Sequence, residues 1–245
     1  MPLMIYRARR KAGMTKQQFQ DRWRQHGATA FDLPLWRQNA RYCQGDILDD
    51  VPAGWGAAED DYDGLCRLWF PDWKQYASNV IGDGPSIDLM MQDETETFGQ
   101  FTFENIATYD DRALLDVGRN AFTSFVVIDG GSESVTETAA AAERAAQAVI
   151  ADPASKQVLR KVVLDVYNSE FAYLFPNSEF KSPAVIELGT DAIADFERPV
   201  ARLRAALADE GLADRAHFYF TRDVNLFEHF LRIHGRPHPR PELTV

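Results

Sequence analysis

The order in which strand-like and helix-like stretches succeed one another narrows the fold of this 245-residue chain more than any other feature. Leu3 to Arg9 reads as a strand, and Ala12-Gly13-Met14 then turns the chain into Thr15-Lys16-Gln17-Gln18. Thr15 and Gln18 form a capping box, in which hydroxyl and side-chain amide satisfy backbone donors left over at a helix start. Phe19, Trp23, His26 and Ala30 then recur at helical spacing and share one face, with Pro34 expected to end the helix. Asn39 to Ile47 and Tyr62 to Phe70 read as strands flanking an acidic, Gly-containing loop. Asp72 caps a second helix carrying Trp73, Tyr76, Ala77 and Val80, which Gly82-Asp83-Gly84-Pro85 breaks. A short helical piece through Met90 and Glu94 leads to a fourth strand over Gly99 to Thr108. The order is βαββαβ.

After a linker around Tyr109 to Asn120 the same order returns. Ala121 to Ile128 is a strand, Ser134 with Glu137 is a second capping box, and the alanine-rich helix it opens ends before Pro153. Lys156 to Tyr167 and Pro183 to Gly189 supply two strands. A helix carries Phe196, Val200, Leu203 and Leu207 on one face and stops at Gly211, and Arg215 to Asp223 is the last strand. This is the split βαβ, ferredoxin-like pattern written twice. Each unit has helices on only one face of its sheet, so the other face needs a partner. The fold class expected is therefore α+β: two ferredoxin-like repeats, at 1–110 and 120–225, with antiparallel sheets packed face to face as a pseudo-dimeric barrel. The Pro- and His-rich tail over 226–245 is expected to be extended.

Lys and Arg number 26 against 37 Asp and Glu, a formal net charge of −11. That excludes the basic footprint of a nucleic-acid binder and repels anionic membranes. No apolar run approaches the roughly 20 residues of a spanning helix, and the opening MPLMIYRARRK lacks the apolar core of a secretory signal, so a cytoplasmic location is expected. Cys43 and Cys66 cannot build a disulfide framework and sit in no CxxC or metal-ligand spacing. His229, His234 and His238 are separated by Gly and Pro and form no rigid ligand set, so no metal is expected.

Lys11-Ala12-Gly13-Met14-Thr15 through Phe19, Trp23-Arg24 and His26-Gly27 resembles the opening of the EthD-domain family. Further matches are Arg41-Tyr42 with Gln44, Tyr62-Asp63-Gly64 with Trp69-Phe70, and Asp93-Glu94 with Phe98, so that about the first 105 residues are covered. The second half matches only in element order. The resemblance implies the dimeric α+β barrel superfamily, in which two ferredoxin-like sheets enclose a pocket. Its members include cofactor-free dehydratases, decarboxylases, cyclases and isomerases of aromatic and polyketide-like compounds, ring-cleaving monooxygenases and haem proteins. One departure stands out: where EthD-like sequences commonly carry Glu before the Trp-Phe pair, this chain has Arg67.

His26 is the foremost catalytic candidate, since an imidazole exchanges protons near neutral pH; its alternative is a buried structural histidine holding the helix end. Tyr42 and Arg67 lie on neighbouring strands and are expected to project into one cavity, Arg67 binding a carboxylate or enolate unless an internal acid pairs with it. Trp69, Asp83, His217 and Tyr219 complete the expected substrate-binding set: Asp83 at the pocket mouth, His217 and Tyr219 on the face of the last strand opposite Phe218 and Phe220. The alanine-rich helix of the second half carries Glu143 and Arg144 but no His, so chemistry resting on His26 occurs once per chain. The function expected is a cofactor-independent lyase or isomerase of the dehydratase or decarboxylase type, acting beside a carbonyl on a hydrophobic aromatic or polyketide-like small molecule. The alternatives are a haem-binding oxidoreductase or monooxygenase, with His217 or His26 as axial ligand, and a non-catalytic accessory protein of an oxidative degradation system. A homodimer is a further expectation.

Overall fold

The computed structural model describes residues 1–33, 39–58, 61–82, 84–100, 102–180 and 182–235. Eight strands, β1 (Pro2–Ala8), β2 (Arg41–Ile47), β3 (Gly64–Trp69), β4 (Ile106–Asp116), β5 (Phe122–Ile128), β6 (Leu159–Tyr167), β7 (Ala184–Thr190) and β8 (Ala216–Asn225), close into an antiparallel barrel in the order β1-β3-β2-β8-β5-β7-β6-β4. Each half contributes four strands in the same internal order, β4-β1-β3-β2 and β8-β5-β7-β6, so the expected repeat is present in the topology. The two sheets face each other across the bore and are also hydrogen-bonded at both edges. One seam runs from Cys43↔Asn225 to Ile47↔Thr221, the other from Tyr109↔Tyr167 to Asp116↔Lys161. Closure leaves no strand of the barrel with an unpaired edge.

Helices α1 (Lys16–Asp32), α2 (Trp73–Gly82) and α3 (Gly84–Thr97) cover the outside of the first sheet, and α4 (Val135–Ala151), α5 (Pro153–Val158) and α6 (Glu197–Asp209) cover the second. Both expected capping boxes form, Thr15 accepting from the Gln18 N–H and Ser134 from the Glu137 N–H. Strand alternation separates three cores. Leu3, Ile5, Cys43, Leu65, Trp69, Phe125 and Tyr219 fill the bore. Met4, Tyr6, Tyr42, Cys66 and Leu68 meet the first helix layer, and Val126, Val162, Ile186 and Phe220 meet the second.

Three segments depart from expectation. Lys156 to Val158, read as the start of a strand, belong instead to α5, which Pro153 opens with the Asp152 side chain accepting from the Ser155 N–H, and the strand begins at Leu159. The fourth strand is not Gly99 to Thr108: Thr102–Glu104 form a 3-10 turn and the strand runs over Ile106–Asp116, through the stretch read as a linker. Phe103 imitated a strand's alternation but packs in the first helix layer, while Tyr109 to Asp116 pair with β6 and seam the halves together. The C-terminal segment is not extended throughout, because Leu226–His234 form helix α7, capped by the Asn225 side chain accepting from the Glu228 N–H. Leu226 and Phe230, one turn apart, bury against the first layer, and an added Cβ at Gly27 would stand 2.3 Å from Leu226 Cδ1, so glycine is what admits α7 there. Pro34, Asp83 and His238 lie outside the described residues. Among those described, no helix is long and apolar enough to cross a membrane.

Candidate functional site

Phe19, Trp23, His26 and Ala30 are all buried on the inner face of α1, as their spacing requires. Trp23 stacks on Phe19 and donates its indole N–H to the Tyr6 hydroxyl at 3.0 Å. Its ring fits because residue 64 is glycine, where a Cβ would stand 2.3 Å from it. The width of these aromatic rings holds α1 off the sheet. Beneath them lies a cavity of about 30 Å³ lined by His26, Tyr6, Tyr42, Tyr76 and Glu94 together with Met4, Leu68, Met90, Phe103 and Ile106. That is room for one water, well below the roughly 300 Å³ of a small-molecule pocket.

The His26 side chain is 4% exposed, and its Nδ1 lies 2.7 Å from Asp93 Oδ2 on α3. Asp93 also accepts from Arg22 at 2.7 Å. Burial alone would raise the Asp93 carboxyl, but the His26 and Arg22 hydrogen bonds outweigh it and hold the pKa down at about 2. An ionised Asp93 accepts from Nδ1–H, and Nε2 is the ring nitrogen that Asp93 does not engage, in a residue that lines the cavity. The Phe98 ring meets the imidazole edge-on, with centroids 5.0 Å apart. Asp93 is a positioning group for His26.

Glu94 is the second carboxylate. It accepts from the Thr102 N–H at 3.0 Å and from the Thr102 hydroxyl, yet burial prevails and raises its pKa. It lines both the His26 cavity and an outer groove of about 310 Å³ between α3 and the 3-10 turn, so one carboxyl borders both. Tyr42 and Tyr6 face each other at 3.4 Å between hydroxyls, and burial pushes both phenols well above the ordinary range, so both stay protonated. An imidazole, a carboxyl whose pKa burial raises and two phenolic donors thus surround one small space. Adjacent groups whose environments drive their protonation apart are equipped for paired acid–base work.

The other expected site residues do not join them. Tyr42 pairs with Leu68 and Cys43 with Arg67, so the one-residue offset puts Tyr42 and Arg67 on opposite faces of the sheet. Arg67 lies in the bore, donating to Glu187 at 2.7 Å and to Asp223 at 2.5 Å. Burial would pull its pKa down, but these two carboxylates outweigh it and hold the guanidinium charged. Lys161 reaches Glu187 at 3.3 Å, and Asp165, fully buried beside Glu187, has neither carboxyl oxygen hydrogen-bonded among the described residues; burial raises its pKa well above normal. Trp69 also faces the bore and donates to Asp111 at 3.1 Å, and Tyr219 packs there too. His217 sits exposed at the rim, 2.8 Å from Asp129. Of the expected set, only His26 and Tyr42 share a cavity among the described residues. Tyr6, Tyr76 and Glu94 also line it, with Asp93 bonded to His26 outside the lining; Asp93-Glu94 stood in the sequence motif without a role, and only the packing of α3 against α1 gives it one.

Residues 11–80 match the family described as EthD domain. That stretch of the chain is similar to the EthD domain. It holds α1, β2, β3 and most of α2, and so supplies His26 and Tyr42, whereas Tyr6, Asp93 and Glu94 fall outside the matched stretch. None of the curated proteins matches by sequence. Solved structures similar in fold include a monooxygenase-like protein from Fusobacterium nucleatum subsp. nucleatum, at 12% identity over 92% of both chains with a TM-score of 0.55. An anthrone oxidase-like protein aligns at 11% identity over 91% of this chain and 92% of its own, TM-score 0.54. A chlorite dismutase-like protein aligns at 10% identity over 91% and 94%, TM-score 0.50. At such identities the likeness is one of fold: the architecture is the dimeric α+β barrel, built here by one chain.

Haem does not fit either candidate ligand in this conformation. The space beside His26 is about 30 Å³, too small for a porphyrin, and His217 is a solvent-facing rim residue held by Asp129.

Proposed function

We propose that this chain is a cofactor-independent lyase or isomerase acting beside the carbonyl of a hydrophobic, aromatic or polyketide-like small molecule at the His26 cavity. The observation that carries this reading is the buried Asp93–His26 pair opening onto a space shared with Glu94 and Tyr42. His26 Nε2 takes the proton from the carbon next to the carbonyl, and the electron pair moves onto the carbonyl oxygen, where the Tyr42 hydroxyl donates to the developing enolate. In a dehydration the enolate expels a β-hydroxyl group, which leaves as water with the proton of Glu94; His26 then returns its own proton to Glu94. In an isomerisation the imidazolium delivers the proton to a different carbon. Arg67 takes no part, because it is held by Glu187 and Asp223 on the far face of the sheet.

A substrate of aromatic size needs more than one water's space, so binding requires the layer formed by Tyr76, Met90 and Phe103 to yield. Incubation with 1-tetralone in deuterium oxide tests the acid–base step directly. Enzyme-dependent exchange of the protons next to the carbonyl, lost in His26→Gln, is the expected result. Exchange that survives His26→Gln, or none with the wild-type protein, sinks the proposal. Oxygen uptake during turnover would transfer the site to oxidative chemistry.

A further inference from the structure

A second hollow lies against the His26 cavity. It holds about 360 Å³, within the range of small-molecule pockets, and is lined by Ile106, Tyr167, Ala172, Tyr173, Phe175 and Phe180 among others. Ile106 lines both spaces. Phe103 of the inner cavity stacks on Phe175 of the outer one, centroids 6.0 Å apart and planes within 19°. The two spaces thus share one aliphatic side chain, and one pair of stacked rings bridges their linings. The outer hollow is built mainly by the β6–β7 connection of the second half, whose 3-10 helix Ser169–Leu174 reaches across the first layer and stacks Phe171 on Trp73 at 5.3 Å. Tyr173 stands 59% exposed at its lip.

We infer that this hollow is the entry subsite for a planar aromatic ligand, so that the second half of the chain supplies the surface that recognises the substrate for the acid–base group of the first. The size is right, the lining is aromatic, and the polar groups at its floor are already satisfied: the Thr108 hydroxyl donates to the Asn168 carbonyl at 2.7 Å, and Ser178 accepts from the Ile106 N–H at 3.1 Å. What remains is ring stacking, with the Tyr167 and Tyr173 hydroxyls at hand for a polar substituent. Rotation of Ile106 and the Phe103–Phe175 pair joins the two spaces and gives the inner cavity the volume it lacks. Ligand recognition here rests on the hollow itself; delivery to His26 rests on the acid–base reading above.

Titration with 2-naphthol, followed by its fluorescence, separates the two. Saturable binding to the wild-type protein is expected, weakened at least tenfold by Ala172→Trp, which fills the hollow, and several-fold by Tyr173→Ala, which alters only an exposed side chain. His26→Gln should bind 2-naphthol as the wild type does. No saturable binding by the wild type, or undiminished binding by both hollow variants with wild-type thermal unfolding, overturns the subsite. Should Ala172→Trp fail to fold, Tyr173→Ala decides alone. Loss of tetralone exchange in His26→Gln together with an unchanged KM in Tyr173→Ala would keep the acid–base centre and discard the subsite.

Discussion

The two helix layers start from the same local instructions and arrive at different interiors. Helices α1 and α4 open with equivalent capping boxes and both span 17 residues, so positions can be counted from their caps. On that count Trp23 corresponds to Ala142 and His26 to Ala145, all four buried. In the second layer alanines let α4 settle close onto Val162, Ile186 and Leu188, with α6 packed beside it. In the first, an indole and an imidazole stand where those methyl groups stand, and the helix rides higher over a space edged with polar groups. Side-chain size at two positions separates a close-packed alanine layer from one that encloses a small polar-edged space, while the backbone topology stays the same.

The comparison breaks most directly at His26. Replacing it with Gln should lower kcat by about 10²- to 10⁴-fold with the fold retained, the usual span for a positioned acid–base group; steady-state turnover with a folding control by circular dichroism measures it. Arg67→Met tests whether the bore is structural. It leaves Asp223 without its guanidinium partner and Glu187 with Lys161 alone, so a stability loss of about 3–5 kcal/mol in denaturant unfolding is expected, with exchange activity per folded molecule unchanged. Ala145→His, which writes the first layer's residue into the second, should cost about 1–3 kcal/mol through overpacking and create no activity; a neutral effect would mean that the second layer has slack the packing does not show. Thr15→Ala and Ser134→Ala should each cost about 1 kcal/mol, or a few degrees in Tm, and cost the same, because the two caps are equivalent.

Acid should separate the layers last. Asp93 is held at about 2 in the fold, below the ordinary carboxylate value near 3.9. Its stabilisation is present above that ordinary value and is lost as the pH falls through about 2, so Tm should drop over that window less steeply in Asp93→Asn than in the wild type.

Much of this was legible in the sequence because it is local. Capping boxes, helical stripes and the repeated element order depend on residues a few positions apart, and they yielded the barrel class and the inner face of α1. What stayed hidden depends on partners distant in the chain. Arg67 was open to either a ligand or an internal acid, and which acids pair with it is decided only when closure of the barrel brings Glu187 and Asp223 to it. Tyr42 and Arg67 were assigned one cavity because neighbouring strands were considered without the pairing that sets their faces. Tyr109 to Asp116 resembled a linker since its polar residues face the seam's solvent side, and only β6 makes it a strand. The tail's Asn225, Leu226, Glu228 and Phe230 did carry a helix signal, which the Pro- and His-rich residues beyond them obscured.

The seam between β2 and β8 also orders events in time. Residues Arg41 to Ile47 complete their ladder only when Thr221 to Asn225 arrive, and Phe31 finds its aromatic neighbours on α7 just beyond. During synthesis the amino-terminal half must therefore wait, with a strand edge and a greasy helix face uncovered, until nearly the whole second repeat has left the ribosome. Long-range closure of this kind is slow. The segment that carries His26 is thus made well before the residues that seal it.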